Sequence, residues 1–134
     1  MRFMILIAAA VVCAALMVTA HGDDAEIGKC RQFLESYGWE VSDKPTDEEK
    51  VFLPLQEDEV YKSYNTIQSR AGLDISPYYG RSGVRYTFEV KNYPADVGEP
   101  VYANVVCIDG APVAGDIMTV SIHGFMHSLL YPSF

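Results

Sequence analysis

The chain has 134 residues, 49% hydrophobic and 21% charged, a balance suited to one globular domain with a modest core. Its 18 acidic side chains against 10 basic ones leave a net charge of −8. That excess argues against a nucleic-acid partner, which needs clustered Lys and Arg, and against docking to anionic lipid or acidic wall polymer by charge alone.

Met1-Arg2 followed by the uncharged apolar run from Phe3 to Ala20 predicts a targeting segment over 1–20. Val18-Thr19-Ala20 suits signal-peptidase cleavage after Ala20. Read as an uncleaved anchor, the run would span roughly 27 Å, against a bilayer core of about 30 Å. Under both readings residues 21–134 form a single domain, secreted or held on the extracytoplasmic face. The membrane is then met only through the N-terminal segment. Only Arg2 among the charged residues lies in that segment, so the exported part keeps all 18 acids. Many of them fall between Glu35 and Glu59, without DxDxDG-like spacing, and are expected to form a solvated face.

Beyond a polar spacer, Ile27, Cys30, Phe33, Leu34 and Tyr37 recur at helical spacing and predict a helix around 27–37, closed by Gly38. Trp39–Val41 and Lys50–Pro54 read as short edge strands on either side of a break at Lys44-Pro45-Thr46-Asp47. A second helix is predicted around 57–71, with Val60, Tyr64, Ile67 and Ala71 as its core stripe and Gly72-Leu73 as a Schellman cap. Residues 73–80 form a structured loop. From Gly83, strict alternation puts Val84, Tyr86, Phe88 and Val90 on a buried face and Arg85, Thr87, Glu89 and Lys91 on a polar one.

The stretch Val101–Val120 is the clearest signal. Two apolar runs flank Asp109-Gly110, the composition of a type I′ hairpin turn. A two-residue turn sets the register: Ile108 faces Ala111, Val106 faces Val113, Ala103 faces Asp116 and Tyr102 faces Ile117. Asp116 then shares a face with Val101, Val105 and Cys107, unless a bulge near Gly115 re-aims it. Pro112 lacks an N–H, which predicts an edge strand at least near the start of 111–120. The strands 84–92, 101–108 and 111–120 make a meander, and a short helical turn over 125–130 can follow. The predicted fold class is α+β, with two helices packed on one face of an antiparallel sheet that ends in this three-stranded meander.

Few residues suggest chemistry. His123 and His127 stand four apart, with Asp116 on the preceding strand, a weak metal-site pattern that lacks the glutamate of HExxH and is interrupted by Gly124. No metal or cofactor is expected. There is no GxSxG nucleophile turn and no glycine-rich phosphate loop. Cys30 and Cys107 are a candidate disulfide in an exported chain, and neither has a neighbour that would activate it as a nucleophile. Tyr78, Tyr79 and Tyr93, in loops flanking one strand, are candidates for an exposed recognition patch. Asp116, His127 and Asn104 are the polar residues whose convergence in a cleft would favour catalysis.

FLESYGWEV at 33–41, DEVYKSYNTIQSRAGLDISPYYG at 58–80, RYTFEVKNYP at 85–94, VYANVVCIDG at 101–110, GD at 115–116 and GFMH at 124–127 occur together and in order. In this the chain resembles an uncharacterised Firmicutes group, the domain-of-unknown-function family four-eight-three-zero. The resemblance implies an apolar N-terminal segment ahead of the domain and no known activity, cofactor or catalytic residue. In that family the position of His123 is more often acidic, which weakens the two-histidine site.

The leading expectation is a non-catalytic envelope or extracellular domain that binds a protein or cell-wall component. The alternatives are a small hydrolase or metal-dependent enzyme using Asp116 and His127, and a cystatin-like inhibitor suggested by fold analogy alone.

Overall fold

The computed structural model describes residues 24–133, so the expected leader or anchor over 1–20 lies outside the described residues. Two helices and five strands follow in order: α1 (Asp24–Ser36), β1 (Asp47–Phe52), α2 (Glu59–Arg70), β2 (Ser82–Glu89), β3 (Tyr102–Ile108), β4 (Ala111–Met118) and β5 (Met126–His127). The strands form one antiparallel sheet in sequence order, an unclosed meander. This is the α+β architecture read from the sequence, two helices against an antiparallel sheet.

Helix α1 begins one turn earlier than its apolar periodicity, because Asp24 and Glu26 favour the positive end of the helix dipole. It ends as expected on Gly38 at φ +97°, where the Trp39 amide reaches back to the Leu34 carbonyl. Asp58 caps α2 by accepting from the Tyr61 amide at 2.8 Å. Gly72 and Leu73 close it with the expected Schellman bonds to the Ser69 and Gln68 carbonyls.

The core stripe of α2 differs from expectation. Val60 is 72% exposed, whereas Gln68 is fully buried. The cause is the free edge of β4: Gln68 Oε1 accepts from the Gly115 amide at 2.9 Å, a donor that would otherwise be buried without a partner. The helix is therefore turned so that Tyr61, Tyr64 and Gln68 face the sheet.

The helices do not share one face along their whole length. Cys30 and Leu34 of α1 join Trp39, Tyr86, Phe88, Val105 and Ile117 in one buried cluster. Tyr86 also donates its hydroxyl to Glu26 of α1 at 2.7 Å. On the opposite side of the sheet Val106, Ile108, Val113 and Ala114 pack with Leu53 and Ile75, and Tyr61 and Tyr64 of α2 cover them. The C-terminal end of α2 reaches back across the β4 edge, where Tyr37 donates to the Ala71 carbonyl at 2.9 Å.

Three local expectations need correction. Val41 makes only an isolated bridge to Val90, and the edge strand β1 starts within the acidic stretch, at Asp47. Its charged residues blunt an edge that would otherwise invite further pairing. No helical turn forms over 125–130: Phe125 exchanges hydrogen bonds with Thr119, and β5 pairs with Ile117 and Met118. Gly124 makes this turn, because a Cβ there would meet Thr119 Oγ1 at 2.1 Å.

The third concerns the hairpin. Asp109 and Gly110 both take positive φ, 52° and 78°, as the type I′ turn requires. Ile108 faces Ala111 and Cys107 faces Pro112, but Val106 then faces Ala114, leaving Val113 as an extra residue. The irregularity begins beside Pro112, which has no N–H to leave unpaired there. From there on every residue of β4 is displaced by one, and Asp116 faces Asn104 rather than Ala103.

Gly115 tests this packing. A Cβ at that position would meet the Asn104 carbonyl oxygen at 2.7 Å and Leu129 Cδ1 at 2.8 Å. Gly115→Ala is expected to lower stability by about 2 kcal/mol, through overpacking against a backbone atom that cannot retreat. Urea unfolding measures this, and an unchanged midpoint would contradict the close approach.

Candidate functional site

The site lies on the sheet face opposite α1. Strand alternation brings Arg85 and Thr87 of β2, Asn104 and Val106 of β3, and Asp116 and Met118 of β4 to that face. Thr87, Asn104 and Asp116 are all buried, Asp116 at 1% exposure. They form one hydrogen-bonded line. The Thr87 hydroxyl donates to Asn104 Oδ1 at 2.7 Å, and Asn104 Nδ2 donates to Asp116 Oδ1 at 2.9 Å. From α2, the Tyr64 hydroxyl donates to Asp116 Oδ2 at 2.7 Å.

Beside this line a half-open cavity of about 360 Å³ separates α2 from the sheet. Its walls are largely apolar, supplied by Leu53, Tyr61, Ile67, Val106 and Met118, and Asp116, Asn104 and Tyr64 lie at its polar end. Arg85 enters from β2. Its Nη2 pairs with Glu49 of β1, while its Nε is buried without a hydrogen-bond partner among the described residues.

Burial pushes the Asp116 carboxyl above its ordinary range, and the Asn104 and Tyr64 donors, with the Arg85 charge, pull it partly back. Burial, then the adjacent Asp116, hold the Tyr64 phenol well above its usual value. Tyr64 is therefore a donor throughout the physiological range. Both oxygens of Asp116 accept hydrogen bonds from the protein, so the group acts as a held acceptor at the end of an apolar chamber.

The other residues singled out from the sequence fall elsewhere. His127 pairs in register with Ile117 and lies on the α1 side, stacked on Phe125 at 5.4 Å and beside Trp39 and Tyr93. Its Nδ1 lies 2.7 Å from the Ser128 carbonyl, which can only accept, so Nδ1 carries the proton and Nε2 accepts from the Tyr93 hydroxyl at 2.9 Å. Asp116 and His127 thus lie on opposite faces of the sheet and do not converge. His123 is exposed in the β4–β5 turn. Among the described residues no three His, Cys, Asp or Glu side chains are grouped to hold a metal.

Tyr78 and Tyr79 do not join Tyr93 in a patch. A 3-10 turn at Ser76–Tyr78 folds them against the Leu53–Ile75 cluster, and Tyr79 donates to Glu57 at 3.2 Å, whereas Tyr93 stacks on Trp39 at 5.8 Å on the other face. Sequence reasoning missed the site roles of Tyr64, Arg85, Thr87 and Gln68. One signal was present: Asn104 is the single polar side chain inside the run VYANVVCI, and a buried Asn needs a partner.

A family model described as a domain of unknown function (DUF4830) matches residues 33–117, more than half of the chain. The chain belongs to this family. The match runs through Tyr64, Arg85, Thr87, Asn104 and Asp116, so the polar line of the DUF4830 domain lies wholly within it, while Cys30 and His127 fall outside. No curated protein and no solved structure matches the chain.

Cys30 of α1 and Cys107 of β3 are free, buried and in contact, with their sulfur atoms 2.6 Å apart. The Cys30 thiol and burial raise Cys107 well above the usual thiol range, so in the folded protein it is protonated and a poor nucleophile. Refolding the reduced chain in a glutathione redox buffer is expected to join the pair before the core closes. The bond would link positions 77 residues apart and add about 4 kcal/mol of stability. Intact mass after refolding reads the loss of two hydrogens, and an unchanged mass would contradict the expectation.

Asp116 sets a pH dependence. Because its folded pKa is raised, the folded state binds this proton more tightly than the unfolded chain does. Its contribution is fully present below the ordinary carboxylate range and is lost as pH rises through the folded pKa. Asp116→Asn is expected to remove that part of the pH slope, leaving stability flatter from mildly acidic to neutral pH than in the parent. Denaturant titrations across pH test it, and parallel profiles would show that Asp116 is not buried as a raised acid.

Proposed function

We propose that this DUF4830 domain is an exported, non-catalytic binding domain of the cell envelope or extracellular space, acting on a protein or wall component through the cavity beside Asp116. The export part of the reading rests on the leader-like composition of residues 1–20. The observation that carries the binding part is the half-open chamber of about 360 Å³, apolar in its walls and closed at one end by the Asp116–Asn104–Tyr64 line. That volume falls within the range of ligand pockets, about 300–1,000 Å³. The competing enzyme reading needed Asp116 and His127 in one cleft, and the sheet stands between them.

Cell fractionation with immunoblotting tests export, and a photo-crosslinking amino acid at Val60, on the cavity rim, tests binding. The protein is expected outside the cytoplasm. A discrete adduct is expected from Val60, lost when Ser63→Trp fills the mouth, and none from Lys29 on α1. A cytoplasmic protein, or equal crosslinking from both positions, would overturn the reading.

A further inference from the structure

The chemistry of the chamber and its rim narrows what enters it. The walls reward an apolar group, and the rim does as well. Val60 at 72% and Met126 at 46% exposure line the mouth, so apolar contact continues outward past the cavity itself. An occupant larger than the chamber, with covering flanks, uses both surfaces. Among the described residues, the one buried polar atom at the wall without a hydrogen-bond partner is a donor, Arg85 Nε, while Nη2 is engaged by Glu49. A donor needs an acceptor, and an anionic one would sit close to both Asp116 and Glu49. The fitting acceptor is therefore uncharged, as a peptide carbonyl is.

The charge outside the chamber points the same way. Glu57, Asp58 and Glu59 immediately precede Val60 at the start of α2, and all three are exposed. Glu49 of β1 pairs with Arg85 at the wall, and Lys50 on β1 and Lys62 on α2 are the nearby opposite charges in sequence, fewer than the acids around them. With −8 over the whole chain, the field at this end favours a cationic partner.

Resting on the binding reading above, we infer that the occupant is a polypeptide segment: one large apolar side chain fills the cavity, a backbone carbonyl of the segment accepts from Arg85 Nε as the guanidinium turns toward the chamber, and flanking Lys or Arg residues face the acidic rim. The apolar residue anchors the segment and the charges steer it, the usual division between a buried hot spot and its rim.

Fluorescence anisotropy with three capped, labelled pentapeptides and the full-length protein tests this. The peptides carry central leucine with lysine flanks, central alanine with lysine flanks, and central leucine with glutamate flanks. The leucine–lysine peptide is expected to bind about tenfold more tightly than the alanine–lysine one, the value of burying the larger side chain. The glutamate-flanked peptide is expected not to bind. Ser63→Trp is expected to weaken binding of the leucine–lysine peptide about tenfold by blocking the mouth, and Arg85→Lys to weaken it several-fold by deleting the Nε donor.

Equal binding of the leucine and alanine peptides, or of both flank types, overturns the inference, as does saturable binding of 1-octanol by a protein that takes none of the peptides. If the peptides fail while Val60 still gives its mouth-dependent adduct in cells, the polypeptide assignment falls and the binding reading stands. If the adduct is missing as well, both fall.

Discussion

A carboxylate at 1% exposure is tolerable in a domain of this size only if its oxygens are met by donors, and in this protein Asn104 and Tyr64 supply them. That arrangement depends on the extra residue at Val113. Without the bulge, Asp116 would point into the cluster of Val105, Cys107 and Phe88, which offers no side-chain donor of comparable strength. With it, Ile117 enters that cluster at 0% exposure and Asp116 meets Asn104 on the other face. One irregularity thus completes an apolar core and creates a polar line outside it.

Helix α2 follows from the same geometry. The start of β4 has no strand beyond it, because Pro112 cannot extend the ladder and β5 pairs only with Ile117 and Met118. Gln68 occupies the gap by taking the Gly115 amide, and Tyr64, one turn earlier, reaches Asp116. The helix is held at the β4 edge by these two polar contacts. It cannot also lie over β1 and β2, so the sheet face between them is left as a chamber with Arg85 at its wall. The cavity is the part of that face that α2, anchored elsewhere, does not cover.

The opposite face is filled. Trp39 donates to the Leu129 carbonyl at 2.7 Å and stacks among Tyr93, Tyr131 and His127, which pins the C-terminal segment over the α1 core. His127 spends both ring nitrogens on Tyr93 and Ser128. A histidine so engaged is a packing element, and it explains why the C-terminal stretch runs as a pinned strand where an apolar sequence without clear period suggested a helical turn.

What the sequence determined by itself was local. The I′ turn at Asp109-Gly110, the Schellman closures at Gly38 and Gly72, the alternation of β2 and the edge character of early β4 each follow from residues whose φ preference, missing N–H or periodicity acts within a few positions. Membership of the DUF4830 family was legible in the same way, from motifs in order along the chain. The tertiary structure alone decided which face Asp116 takes, which side of α2 is buried and which tyrosines meet. Each of these turns on a balance between distant groups. A bulge shifts every later side chain to the other face, and whether it forms depends on the cost of burying Asp116 against the donors that Asn104 and Tyr64 bring from other elements. Gln68 reads as a surface residue until the unpaired Gly115 amide, 47 positions away, gives it a reason to be inside.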